Sequence, residues 1–191
     1  MGKGRMEAFS DGVLAIIITI MVLDLKVPQG AGLQELAAVG PIALSYLLSY
    51  VYLGIYWNNH HHLLQGLREV SASILWANLH LLFWLSLLPW ATAWMSVSHF
   101  AAVPTLVYGC ILLMAALAYL LLQTLVVRRS GENSALRQAL GRDAKGKLSL
   151  LSYSLAIVVA GRLPHLAETL YVLVALLWLI PDRRLERAMP H

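Results

Sequence analysis

The sequence predicts an all-α membrane protein with six transmembrane helices and both termini in the cytoplasm. Three observations lead there. Of the 191 residues, 59% are hydrophobic and only 13% are charged, whereas a soluble domain carries about a quarter charged residues. Six apolar runs recur along the chain, and about 20 residues suffice for one helix to cross a bilayer. Lysine and arginine collect in alternate connections between those runs, as cytoplasmic loops do. With a mean hydropathy of +0.69, the composition excludes a secreted disulfide scaffold, a disordered chain and an ordinary cytosolic enzyme. The single cysteine, Cys110, has no intramolecular partner and lies in an apolar run, so it is expected to be packed or lipid-facing. The net charge of +4 does not point to nucleic acid, because in a membrane protein the placement of charge outweighs its sum.

The first run, 9–27, comes after Lys3 and Arg5 as the core of a signal peptide would. No small-residue cleavage site closes it, and Asp24-Leu25-Lys26-Val27-Pro28 stands there instead, so a retained helix is expected. The second run, 36–57, leads into Asn58-Asn59-His60-His61-His62. The third and fourth, 74–95 and 104–127, are long enough to span. The hydrophilic stretch 128–147 then carries six basic residues against Glu132 and Asp143. It reads as a cytoplasmic loop with a helical turn or two around 135–140, and its charge would attract anionic headgroups. The last two runs, 148–163 and 166–180, are short and separated by Arg162 and Pro164. Two tilted or partly buried spans fit them better than one re-entrant pair. With both ends inside, twelve of the fourteen basic residues fall on the cytoplasmic side, and only Lys26 and Arg162 fall outside. No linker divides the chain, so residues 1–191 are expected to form a single transmembrane domain of the cell membrane.

Polar groups within the spans are scarce. Asp11 is the only acid deep in any of the first four, and no chain of mid-membrane carboxylates or histidines suggests ion-coupled exchange. The three consecutive histidines lie about 100° apart on a helix and cannot converge on one ion. No nucleophile elbow, phosphate loop or carbonyl selectivity filter is present. A helical wheel of the first run gathers Phe9, Val13, Ile16, Ile20, Leu23 and Val27 in one stripe, with Thr19 at its border. Asp11, Ala15, Ile18 and Val22 lie on the opposite side. The wheel does not say which face meets lipid, protein or water.

The stretch Arg5-Met6-Glu7-Ala8-Phe9-Ser10-Asp11-Gly12-Val13, followed by Ala15-Ile16 and Thr19, resembles the first helix of the TMEM175-type potassium channels. The likeness continues through Trp57-Asn58-Asn59-His60 and through Trp76-Ala77-Asn78-Leu79 to Pro89; over the last three spans it is one of layout. The Phe-Ser-Asp motif occurs once here, as in the prokaryotic branch, where four chains close the pore. The resemblance implies a homotetramer whose first helices line a potassium-selective path without a carbonyl filter. It places the narrowest ring at Ile16, further rings at Ile20 and Leu23, and a pore-side threonine at Thr19. It gives Arg5, Phe9, Ser10, Asp11, His60, Trp76 and Asn78 a structural role, tying the first helix to its neighbours. The implied partners are potassium ions, the bilayer and further copies of the chain, with no cofactor and no metal beyond potassium in transit. A secondary transporter of a small cation or solute is the alternative; a histidine-based membrane enzyme and a scaffold without an ion path rank below it.

Overall fold

A computed structural model describes residues 2–67, 69–129 and 143–179. Its elements are all helical: α1 (Lys3–Leu23), α2 (Leu33–Ala38), α3 (Gly40–Gln65), α4 (Ala72–Ser86), α5 (Leu88–Val97), α6 (Ala102–Arg129), α7 (Ala144–Ala160) and α8 (Pro164–Leu179). Among the described residues, three stretches are long and apolar enough to cross a membrane by length and composition, namely Lys3–Leu23, Ala72–Val97 and Ala102–Arg129, while Pro164–Leu179 is a shorter apolar helix.

The helix ends differ from the apolar runs for local reasons. α1 starts at Lys3 rather than at residue 9, because its polar first turns stay helical outside the apolar run. It stops at Leu23 rather than 27, where Asp24 caps it and Pro28 disfavours helix at the residue before it. The run 36–57 becomes two helices hinged at Val39, with Pro41 in the first turn of α3, where a missing N–H costs nothing. α3 then runs through the histidines to Gln65. The run 74–95 also divides, at Leu87: Pro89 lacks the N–H that would bond Leu85 O, so α5 starts anew. α7 begins at Ala144, earlier than the run 148–163, because Asp143 Oδ1 accepts the Gly146 N–H at 2.8 Å as an N-cap. Pro164 opens α8. The helical turns expected around 135–140 lie outside the described residues.

α6 is the hub, packing against α3, α4, α5, α7 and α8, and α7 pairs with α8. Small residues make these approaches close: Ala115, Ala118, Ala156, Ala160 and Ala167 are all fully buried. Gly109 is required where α6 meets α8, since a Cβ there would collide with the Tyr171 hydroxyl. Two residues in the left-handed region, His99 and Phe100, turn the chain from α5 into α6. A buried polar cluster joins α3, α5 and α6, with Ser49 Oγ 2.7 Å from Thr92 Oγ1 and 2.9 Å from the Tyr108 hydroxyl. α1 packs chiefly against α3, α4 and α5, at one side of this bundle.

Candidate pore-lining surface

α1 is apolar over most of its surface, so its neighbours decide which side is covered. Met6, Ser10, Leu14, Ile17 and Met21 are its buried residues. On the wheel this face stands about 100° from the Ile16 stripe and about 100° from the Asp11 side. Both of the faces distinguished in the sequence are therefore left largely open in the protomer, with Val13 and Ile18 half-buried. Phe9 is 51% exposed, Ile16 60%, Ile20 47% and Leu23 78%. Thr19 is exposed beside them, and its hydroxyl donates to Ala15 O at 2.8 Å. That bond uses the proton and leaves the Thr19 oxygen free to accept or to face a cation. Val13, Ile16, Ile17, Ile20 and Asp24 border an open groove, completed by Ser86, Pro89 and Trp90 at the α4–α5 break.

What fixes α1 is a short chain of hydrogen bonds. Ser10 Oγ donates to Met6 O at 2.8 Å within α1 and accepts from Asn78 Nδ2 on α4 at 2.9 Å. Asn78 Oδ1 in turn accepts from His60 Nε2 on α3 at 2.7 Å, since an amide oxygen can only accept. All three side chains are buried, so each depends on the others to satisfy its polar atoms. Near the helix start, Lys3 Nζ donates to Gln65 O at 3.2 Å.

The other motif residues are placed differently. Asp11 takes its hydrogen bond from a side chain other than His60 or Asn78. It is exposed, and its Oδ1 accepts from Trp57 Nε1 at 3.0 Å. Arg5, Phe9 and Trp76 are exposed as well. Trp57 as partner of Asp11 was missed in the sequence. A signal for it was present: Trp57 precedes His60 by about one helical turn, which puts both on the same side of α3. The histidine run fans out as helix geometry requires: His60 goes to Asn78, while His61 stacks on Trp57 at 6.3 Å and meets Gln65 at 2.9 Å. Among the described residues no group of three or more metal-ligating side chains comes together.

Comparisons with known proteins bear on this surface. The family described as "Endosomal/lysosomal potassium channel TMEM175" matches residues 5–89, which include α1 from Arg5 onward, the histidine run and the motif on α4. A potassium channel of Chryseobacterium sp. is 54% identical over 189 residues, covering 99% of this chain and 98% of its own. A potassium channel of Streptomyces collinus is 37% identical over 128 residues, 61% of each chain. Among solved structures, a lysosomal potassium-selective channel TMEM175 homolog from Chamaesiphon minutus superposes with a TM-score of 0.77 at 25% identity, covering 94% of this chain and 97% of that one.

Proposed function

From the premise that this chain belongs to the TMEM175 family of channels, we propose that it is a potassium-selective channel of the cell membrane, a homotetramer in which four copies of α1 surround one ion path. In this reading residues 1–191 form one domain that crosses the bilayer six times, through α1, α3, the α4–α5 pair, α6, α7 and α8, with both termini cytoplasmic. The uneven distribution of lysine and arginine favours that orientation. Potassium in transit is the only metal involved, and no cofactor takes part.

The observation that carries the proposal is the exposure of α1. Its Ile16 stripe and its Asp11 side are largely open, with only Val13 and Ile18 half-buried at their margins, and the face between them packs on the rest of the protomer. A helix with two uncovered faces at the side of a bundle is suited to line a shared axis with one face and to meet a second copy with the other. Four Ile16 side chains around the axis form an apolar constriction that excludes water and so blocks ions by dewetting. Ile20 and Leu23 continue the apolar wall toward the far end of α1. Opening then means tilting or rotating α1 so that the ring widens. Selectivity comes from the Thr19 oxygens and nearby backbone dipoles, since no carbonyl filter is available.

Potassium flux into liposomes holding the purified protein tests this reading. Ile16→Asn places a polar ring that holds water in the constriction, and flux or leak is expected to rise. Unchanged flux through a protein that conducts removes Ile16 as the gate.

A further inference from the structure

Where α6 ends and α7 begins, the cytoplasmic end in the proposed topology, a cavity of about 120 Å³ lies between α3, α6, α7 and α8. None of its lining residues is on α1, so it stands apart from the pore reading. Ile55, Tyr56, Ala116 and Leu150 give it apolar and aromatic walls, and exposed Leu120 and Lys147 open it to the surface of the protomer. Polar groups along it are engaged within the protein. The Tyr119 hydroxyl donates to Asn59 O at 3.1 Å, and Trp178 Nε1 donates to Ser149 Oγ at 2.8 Å.

The rim of this space is basic. Lys147 lines it, and Lys145 Nζ lies 5.9 Å from the centroid of the Trp178 ring, which forms part of the same wall. Arg128 and Arg129 close α6 at the same end of the bundle, with Arg129 3.6 Å from Glu69. The acid on the lining, Asp143, is folded back on its own helix, where its Oδ1 accepts the Gly146 N–H at 2.8 Å. Lys145 and Lys147 do nothing for α7 itself. They stand in its first turns, where the helix dipole disfavours cations. Their charge is therefore directed at something other than the helix that carries them.

Charge and polarity together define the occupant. Apolar walls favour hydrocarbon over water. Basic side chains at the mouth of a pocket between helices, on the cytoplasmic side, suit an anionic lipid headgroup, and tryptophan marks the depth at which headgroups lie. A neutral amphiphile leaves the lysines unmatched, and a soluble anion leaves the apolar walls unmatched. An anionic phospholipid matches both. We propose that the cleft between α3, α6, α7 and α8 is a binding site for an anionic phospholipid, with part of one acyl chain in the cavity and the phosphate on Lys145 and Lys147.

Native mass spectrometry of the purified full chain in detergent tests this, with phosphatidylglycerol and phosphatidylcholine of the same acyl chains titrated separately. Phosphatidylglycerol adducts are expected to saturate, and to form at lower lipid concentration than phosphatidylcholine adducts. Lys147→Gln should weaken phosphatidylglycerol by about fivefold and leave phosphatidylcholine unchanged. Lys26→Gln removes the same charge outside the site and should bind as the wild type does. Ala116→Trp fills the cavity and should weaken phosphatidylglycerol with both lysines in place; if that variant does not elute as folded protein, Leu120→Trp takes its role. Equal binding of the two lipids overturns the proposal. So does an equal loss in Lys26→Gln and Lys147→Gln, which is attraction by net charge only, and so does undiminished phosphatidylglycerol binding in the filled cavity. Potassium flux is not read, so none of these outcomes touches the pore reading.

Discussion

Asn78 links His60 of α3 to Ser10 of α1 in the interior. Its amide accepts from His60 and donates to Ser10. Asn78→Ala is therefore expected to leave His60 Nε2 without this partner and Ser10 with only its bond to Met6 O, and to cost about 2 kcal/mol, read as a lowered melting temperature of the purified chain. Asp11→Ala removes one bond on an exposed face, so its effect on protomer melting should be smaller. In the proposed tetramer it should instead shift the assembly toward smaller species in gel filtration. Thr19→Ala removes an oxygen from the stripe's border without touching the packed face of α1. The potassium-to-sodium permeability ratio, taken from reversal potentials, should change while assembly persists; an unchanged ratio takes Thr19 out of selectivity. The stripe could be read from the sequence, because the 3.6-residue period decides which side chains share a face. The identity of the buried face could not, since α1 is apolar on nearly every side and only its neighbours distinguish one apolar face from another.

Elements obey the same logic one level up. Apolar runs located the long helices but not their ends, because solubility in lipid and helix formation are separate properties. The polar turn before residue 9 and the histidine run after residue 57 are helical though hydrophilic. The interruptions at Val39 and Leu87 were visible as Pro41 and Pro89, residues that begin helices well and continue them poorly. Close helix approach left a fainter trace. Gly109 looks unremarkable in a run of apolar residues, yet α6 meets Tyr171 of α8 there, and the Tyr171 hydroxyl donates to Thr105 O at 3.0 Å. Gly109→Ala is expected to push α6 and α8 apart, break that bond and lower thermal stability markedly. A melting curve matching the wild type would show that the two helices have room to spare.

At the scale of the whole molecule, topology and assembly are separable questions. Orientation rests on the distribution of lysine and arginine, and impermeant thiol labelling of whole cells checks it in a Cys110→Ser background. Lys26→Cys is expected to react from outside and Lys145→Cys to be protected until the membrane is opened; the reverse pattern inverts the chain. The proposed assembly rests on α1, where Phe9, Ile16, Ile20, Val22 and Leu23 are exposed in the protomer. The most direct measurement is silver-ion block of potassium current through single-cysteine channels, again without Cys110. Silver is small enough to take the potassium route, and it binds only thiolates that it meets on the way. Current through Ile16→Cys should be blocked, and current through Val22→Cys, on the other side of α1, should not. Block at Val22 with none at Ile16 would place the stripe against lipid or protein and move the ion path elsewhere.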